Sequence, residues 1–429
     1  MDSRPSDAAP ELAGDEAWNF FANVMDGALF AFAMSLVSIQ TVLPIFVRDM
    51  GGGNVAVGLI PVVYTLGFNF PQWLIAGYAQ RQVYLKPLLL RTAMGQRVPW
   101  LLLAVATYAV VGTVSSGTAI PIFFVLLALA AIGGSLNLPV WFDLIAFLTP
   151  IRRRGRLFGF RTILGAALGL AGGGIVTYVL QRFAYPDGYA LLFLLCFGVM
   201  LVSYMFLVSL REGRRGGDLS RSSEKERVRL SPVEVLRTAG NYRNFLVADA
   251  LQTSASVGIA FYAVDATAKF SLPSAYAGIF TILMMAGSIT GSALFGFLAD
   301  RHGHKLNLLV AAAATTVGSV AALVAPGIEV YAIAFVTASL TISLVMISRL
   351  PFLAELSPES ERPSRVAIAS MLTSPFVLTG LLAGWVASQI GFVPVFAAAA
   401  VIALAAFFWL LFMVEEPRSG PARTSPAGA

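Results

Sequence analysis

The chain has 429 residues, of which 57% are hydrophobic and only 12% are charged. A soluble domain carries about a quarter charged residues and needs them to cover its surface. The composition therefore excludes an ordinary soluble fold and indicates that lipid is the solvent for most of the chain.

Apolar segments long enough to cross a bilayer recur along the whole sequence. A spanning helix needs about 20 mostly apolar residues. Residues 1–18 are acidic and lack the basic region of a cleaved signal peptide, so we expect a tail there and a retained first span. Twelve spans are predicted, near 19–42, 55–79, 98–116, 119–148, 158–180, 189–210, 244–267, 275–298, 306–325, 329–354, 366–388 and 393–414.

The basic residues predict the orientation of these spans. Most of the 29 lysines and arginines fall in the even-numbered loops, whereas the odd loops hold only Arg48, Arg182 and Lys269. Cytoplasmic loops are enriched in lysine and arginine, so the even loops and both termini are predicted to face the cytoplasm. The net charge of +6 is thus explained by topology in a cell (inner) membrane, and no nucleic-acid partner is expected.

The two halves of the chain carry matching landmarks in the same order, which indicates a duplicated transporter with a site between its halves. We expect a cytoplasmic tail at 1–18, a six-helix bundle at 19–210, a cytoplasmic central loop at 211–243, a second bundle at 244–414 and a tail at 415–429. In the central loop, "SPVE" predicts a short helix capped by Ser231. The paired landmarks are "NVMDGA" with "LVADAL", "YAQR" with "LADR", and "FLTPIRRRGR" with "ELSPESERPSR".

The stretch "GFLADRHGHK", Gly296 to Lys305, resembles the G-x-x-x-D-R-x-G-x-[RK] loop of the major facilitator superfamily. The resemblance covers the whole chain, because twelve helices and a long central loop also fit. It implies an all-α membrane protein with two pseudo-symmetric six-helix bundles. The N-terminal copy of the motif has Gln80 where an acid is usual, which implies two cytoplasmic latches of different strength.

By this resemblance, the motif loop helps to hold one conformer closed. Asp300 would face the start of the fifth helix, and Gly296 would allow close helix contact. The alternative is that these charges merely mark the cytoplasmic boundary. The residues assigned to the latch are Gly296, Asp300, Arg301, Lys305, Asp143, Arg154, Glu355 and Arg362.

Polar residues inside the spans predict a hydrated central cavity, because charge in a bilayer is costly and therefore points to function. Asp249, Gln252, Thr253 and Ser256 follow helical spacing and form one face of the seventh span. Asp26 and Asp249 are candidate proton-coupling residues, and Arg349 is a candidate anchor for an anionic group. Simple ion pairing is the alternative role for these charges. The cavity candidates are Gln40, Asn69, Gln72, Asn137, Gln252, Thr253, Ser256, Thr341 and Arg349.

The predicted function is secondary active transport of a small solute. No Walker motif is present, and two histidines with one cysteine are too few for a usual zinc site, so we expect no enzyme activity, no metal and no cofactor. The glycine-rich segment "GAALGLAGGGIV" resembles that of exporters in the family and slightly favours proton-coupled export. The alternatives are an importer of a nutrient, organic anion or metal chelate, and a non-transporting sensor or assembly factor. The expected partners are a small solute, protons and the lipid bilayer, with the chain acting as a monomer.

Overall fold

The computed structural model describes residues 8–79, 82–111, 113–213, 231–358 and 361–417, and the regular structure in these ranges is helical. The chain is an all-α membrane protein with two six-helix bundles, as predicted. Within the described ranges, ten helical segments are long and apolar enough by themselves to cross a membrane. The second span is interrupted before Pro71, and the third carries Lys86, Arg91 and Arg97.

The N-terminal half contains the first six spans and one additional short helix. The first span is followed by the short helix Val42–Asp49. The second span consists of two helices, because Pro71 cannot donate a backbone hydrogen bond and therefore interrupts the ladder. In chain order, the spans are Ala8–Leu36, Asn54–Asn69 with Gln72–Ala79, Lys86–Ala109, Ser116–Leu148, Ile151–Arg182 and Asp187–Ser209.

The C-terminal half repeats this arrangement, with two spans that contain a short 3₁₀ segment. The seventh span consists of Gly240–Ser256, Val257–Phe261 and Tyr262–Lys269, and the eleventh of Arg362–Thr373, Ser374–Leu378 and Thr379–Ile390. The remaining four spans are Tyr276–His302, His304–Val324, Ile328–Glu355 and Val393–Met413.

Three predicted spans were placed too late in the chain. The first was predicted near 19–42 and is Ala8–Leu36. The third begins at Lys86 rather than near 98, and the fifth begins at Ile151 rather than near 158. The errors in the third and fifth spans came from reading arginines as loop residues. The helices contain Arg97 and Arg161 because an acid inside the N-terminal half pairs with both.

A short helix, Pro232–Thr238, lies before the seventh span, as the "SPVE" pattern predicted. The predicted cap is wrong in detail, because the Ser231 side chain makes no capping hydrogen bond. The remainder of the central loop, residues 214–230, lies outside the described part of the chain.

The two halves meet at the end of the bundle that lies away from the basic even loops, which we call the opposite end. There the Thr41 and Thr281 hydroxyls lie 2.6 Å apart, and Ser274 donates to the Asp49 carboxylate at 2.8 Å. The second and eleventh spans touch backbone to backbone, since a Cβ at Gly58 would collide with the Gly380 carbonyl. These contacts close the bundle at the opposite end.

Candidate functional site

A cavity of about 280 Å³ lies between the two halves, near the middle of the spans. The first and second spans form its N-terminal wall, and the seventh and tenth spans form most of its C-terminal wall. Most of the lining is aliphatic, including Ile39, Ile259 and Met346. We call this space the central cavity. The sequence-predicted residues that line it are Gln40, Asp249, Gln252, Thr253, Ser256, Thr341 and Arg349.

A second cavity of about 410 Å³ lies beside the central cavity and shares Ile39 and Gln40 with it. Its walls come from the first, fifth and eighth spans. Side chains with hydroxyl groups supply most of its polar atoms, together with the Arg161 guanidinium. We call this space the side cavity. Its hydroxyl-bearing lining residues are Ser35, Ser38, Thr162 and Ser288.

Asp249 and Arg349 form an ion pair in the wall of the central cavity. Arg349 Nε donates to both carboxylate oxygens at 2.9 Å, and Nη2 donates to Oδ2 at 2.8 Å. Nη2 also donates to the Thr373 hydroxyl at 3.0 Å. The pair thus joins the seventh, tenth and eleventh spans. The Arg349 side chain is still 22% exposed, so the pair can be reached from the cavity.

Gln252 lies on the same face as Asp249, as the helical spacing predicted. Its amide nitrogen donates to the Thr315 hydroxyl at 2.9 Å and to the Ser256 hydroxyl at 3.2 Å. Its buried Oε1 has no hydrogen-bond partner among the described residues. An unpaired buried acceptor costs about 1–3 kcal/mol, so an N–H or O–H of a bound molecule that reached this oxygen would relieve that cost.

Asp26, the counterpart of Asp249, lies in a different setting inside the N-terminal half. The Ser203 hydroxyl donates to its Oδ1 at 2.7 Å. Two arginines share the carboxylate: Arg97 Nη2 lies 3.7 Å from Oδ1, and Arg161 Nη1 lies 3.4 Å from Oδ2. We call these three charged residues the Asp26 cluster.

The two arginines of the Asp26 cluster differ in their access to the cavities. The Arg97 side chain is 1% exposed and donates to the Met200 and Ala93 carbonyls as well as to Ser203. The Arg161 side chain is 17% exposed and lines the side cavity. Its guanidinium lies 4.4 Å from the centre of the Trp141 ring, in cation–π contact.

Gly27 makes this placement of Arg161 possible. A Cβ at position 27 would collide with the Arg161 guanidinium. The matching position after Asp249 is Ala250, so the two halves have diverged at this point. The sequence "MDGA" therefore encodes an acid together with the space for its second arginine.

Three of the predicted cavity residues lie away from the central cavity. Asn137 lines a third cavity, of about 200 Å³, inside the N-terminal half next to the Asp26 cluster. Asn69 is exposed at the end of the first segment of the second span, and Gln72 donates to the Phe68 carbonyl. Pro71 lies between these two residues, at the point where the second span is interrupted.

The residues assigned to the latch lie at the end of the bundle that carries the basic even loops, which we call the basic end. Among the described residues, the hydrogen bonds of Arg154 stay within the N-terminal half. Arg154 donates to the Thr149 and Ala146 carbonyls at the end of the fourth span. Asp143 lies one helical turn earlier in that span. The Asp300 side chain and Gln80 lie outside what the structure describes.

The structure corrects the expectation for Gly296 and shows why a glycine stands at position 303. Close helix contact at Gly296 is not present, because a Cβ there would meet no described atom within 4 Å. Gly303 has a φ of 88°, a conformation that favours glycine, and it ends the eighth span. Arg301 is exposed, and the Lys305 backbone N–H donates to Glu416 at 3.1 Å.

Glu355 and Arg362 are the remaining residues assigned to the latch. Glu355 ends the tenth span, and Arg362 begins the eleventh. Glu355 Oε1 lies 3.9 Å from His304 Nε2, and Arg362 Nε donates to the Ala354 carbonyl at 3.0 Å. These contacts hold the basic end of the C-terminal half together.

Sequence reasoning missed Arg97 and Arg161 as partners of Asp26, because both had been counted as loop residues. The signal was available for Arg161. No proline interrupts the sequence between Ile151 and Arg182, so one helix could have been predicted to place this arginine within the membrane.

The comparisons with known proteins agree with this architecture. Residues 250–428 match the sequence model of the Major Facilitator Superfamily. No curated protein matches the chain in sequence. Solved structures with the same fold include a mutant form of the nucleoside transporter NupG, with 13% identity, a TM-score of 0.71, and coverage of 94% of this chain and 100% of that one.

Two further structures show the same likeness. A D-xylose–proton symporter has 16% identity and a TM-score of 0.67, covering 93% of this chain and 98% of its own. A bacterial homologue of the human lysosomal transporter Spinster, inward-facing and unoccupied, has 14% identity and a TM-score of 0.65, covering 93% and 95%. The fold is that of these multi-pass membrane transporters. The C-terminal part of the chain is thus similar in sequence to the major facilitator superfamily, and the whole chain shares the fold of these solved transporters.

Proposed function

We propose that the protein is a proton-coupled secondary active transporter that moves a small solute by alternating access. The observation that carries the proposal is the Asp249–Arg349 ion pair, which lies in the wall of a cavity between the two halves. The solved structure described as a D-xylose–proton symporter has the same fold, which supports proton coupling.

Protonation of Asp249 would change the charge of the cavity wall. A neutral carboxyl group no longer compensates Arg349, and removing one partner of a buried ion pair costs about 3–5 kcal/mol. The cavity must then gain water or an anionic group, or change conformation. A proton moving down 100 mV supplies about 2.3 kcal/mol. This free energy is comparable to the cost of breaking the ion pair, so each proton can help to drive the change of conformation.

In our proposal Asp249 is the proton-accepting member of the pair. Thr373 accepts from Arg349 and carries no charge in either state. The neighbouring titratable groups are Tyr242 and Arg365, whose guanidinium carbon lies 5.5 Å from the Tyr242 ring. Asp26, by contrast, is shared by two arginines, which favours a structural role for the N-terminal acid.

The contacts between the halves support alternating access. At the opposite end the halves are held by the Thr41–Thr281 and Ser274–Asp49 hydrogen bonds and by glycine contacts. A few such contacts can be broken without unfolding either bundle. In our proposal, this conformer is open toward the basic end, which the distribution of lysines and arginines assigns to the cytoplasm together with both termini, in a cell (inner) membrane.

Export is the proposed direction, and the protein is proposed to act as a monomer. Glycines of the fifth span pack against the eighth, where a Cβ at Gly173 would collide with Ile282 and the Gly278 carbonyl. This contact suits a span that moves against the other half. An importer of a nutrient, organic anion or metal chelate, and a non-transporting sensor or assembly factor, remain the competing functions.

Flux into proteoliposomes tests the proposal. Vesicles containing the purified protein would be exposed to a metabolite extract of the source cells, with and without an imposed pH gradient, and their contents analysed by mass spectrometry. We expect at least one solute whose movement depends on the gradient and on Asp249. The matched control is Asp187→Asn, at an exposed acid of the opposite end, which should transport normally. Absence of any protein-dependent flux would favour the sensor function.

A further inference from the structure

We propose that the transported solute is an amphipathic organic anion whose carboxylate or phosphate group binds Arg161 in the side cavity. This inference rests on the proposed transport function and names the class of its substrate. Sequence analysis had assigned an anionic group to Arg349. The geometry of the two guanidinium groups places it at Arg161 instead.

Arg349 has no free edge for a second anion. Guanidinium groups bind carboxylates and phosphates through two parallel N–H donors. A guanidinium offers such an edge at Nε with Nη2 and at Nη1 with Nη2. In Arg349, Nε and Nη2 already donate to Asp249, and Nη2 also donates to Thr373, so neither edge has both of its donors free. The pair is also balanced in charge, with one acid and one base.

Arg161 has a free edge and lies in an unbalanced cluster. Its hydrogen bonds, to the Asn23 carbonyl and to Asp26, both leave from Nη1. Within the described part of the chain, Nε and Nη2 have no hydrogen-bond acceptor. Asp26 carries one negative charge against the two positive charges of Arg97 and Arg161, so the Asp26 cluster has one uncompensated positive charge.

The surroundings of Arg161 suit an anionic group rather than a protein acid. The side cavity is lined by hydroxyl groups and by the Gln40 amide, which can donate hydrogen bonds to an anion. Asp26 lies beneath the cavity, where it pairs with Arg161. Trp141 covers one face of the guanidinium, which orients the group without neutralising its charge. A carboxylate or phosphate at this point would restore charge balance and receive several hydrogen bonds.

The rest of the solute is defined by the central cavity, which meets the side cavity at Ile39 and Gln40. Its mostly aliphatic walls suit an apolar body. The unpaired Oε1 of Gln252 suits one N–H or O–H donor on that body. The predicted substrate therefore has an anionic end, an apolar middle and a hydrogen-bond donor.

Equilibrium binding to the purified full-length protein in detergent tests this inference. The probes are 4-phenylbutyrate and 3-phenylpropyl phosphate, with 4-phenylbutanamide as the neutral analogue of the first. We expect the anions to bind roughly 10- to 100-fold more tightly than the amide, the effect of a charged hydrogen-bonded contact. Arg161→Gln should remove this preference, and Arg182→Gln, an exposed arginine at the opposite end, should leave it unchanged.

Two additional variants keep the test decisive. Ser288→Asp adds an acid to the wall of the side cavity without touching Arg161 and should abolish anion preference, which covers the case of a misfolded Arg161→Gln protein. Thr316→Val, on the ninth span outside the lining of both cavities, is the second control and should retain the preference. If Arg161→Gln keeps the preference, or if the anions bind no better than the amide, the inference is overturned.

This measurement needs no gradient and no vesicle. Loss of proton-coupled flux in proteoliposomes would contradict the proposed function while leaving anion binding at Arg161 intact. Absence of charge preference in detergent would contradict the substrate class while leaving coupled transport intact. The two proposals can therefore fail separately.

Discussion

Asp249 and Arg349 lie on different spans of the C-terminal half, and the two N–H donors of the arginine edge both point at the carboxylate, at 2.8 and 2.9 Å. The corresponding acid of the N-terminal half, Asp26, has two arginines and a serine as partners. The duplicated halves have thus kept the acid and changed its surroundings. We assign proton coupling to one and substrate charge recognition to the cluster around the other.

The first prediction concerns the stability of the Asp249–Arg349 pair. Asp249→Asn should lower the free energy of unfolding by up to about 3–5 kcal/mol, because it leaves the partly buried Arg349 without its counter-ion. The double variant Asp249→Asn with Arg349→Gln removes both charges and should recover most of this loss. Thermal unfolding in detergent, followed by tryptophan fluorescence, measures both. Additive effects of the two single substitutions would mean that the pair is not coupled.

The second prediction concerns Gln252. Gln252→Leu removes the unpaired Oε1 from the central cavity and should raise the KM for the transported solute about five- to 100-fold, the effect of one lost hydrogen bond to a buried group. The maximal rate should change much less. Thr316→Val, on the neighbouring ninth span outside the lining of this cavity, is the control. An unchanged KM would show that the solute does not contact this amide.

The third prediction concerns Gly27. Gly27→Ala places a methyl group where the Arg161 guanidinium lies, so the Asp26 cluster must rearrange and the protein should be destabilised by about 1–3 kcal/mol. Gly174→Ala, in the fifth span, meets no described atom within 4 Å and should be neutral or slightly stabilising. Unfolding temperatures of the two variants provide the comparison. Equal temperatures would argue against the close approach of Arg161.

The fourth prediction concerns closure of the opposite end. Gly58→Leu should prevent the second and eleventh spans from touching, since even a Cβ at this position meets the Gly380 carbonyl. Spin labels at Arg182 and Val393 should then report a longer distance by pulsed electron resonance. Gly53→Leu, which meets no described atom within 4 Å, should leave the distance unchanged. Equal distances in both variants would mean that this glycine contact does not control closure.

The sequence predicted the fold more completely than the site. Twelve spans and the bundle pair followed from hydropathy and from the motif at Gly296–Lys305, because apolar length in lipid is a strong local signal. The division into a tail, two bundles, a central loop and a second tail stays a prediction at its boundaries.

Within the site, helical spacing predicted the polar face of the seventh span, since Asp249, Gln252, Thr253 and Ser256 belong to one uninterrupted helix. Asn69 and Gln72 were predicted only from their polarity within a span, and they lie away from the central cavity, where Pro71 divides that span. Helical spacing also missed Arg97 and Arg161. Their pairing with Asp26 joins the first, third and fifth spans, and such contacts depend on packing between spans that no local pattern encodes.

The most direct test is the concentration ratio that the protein builds up in proteoliposomes under an imposed pH gradient. With a driving force equivalent to 100 mV and one proton per solute, the wild-type protein should accumulate its solute roughly 50-fold. The double variant Asp249→Asn with Arg349→Gln should only equilibrate the solute to a ratio near one. Accumulation by the double variant to the wild-type ratio would contradict the account, because the proton would then be coupled without this pair.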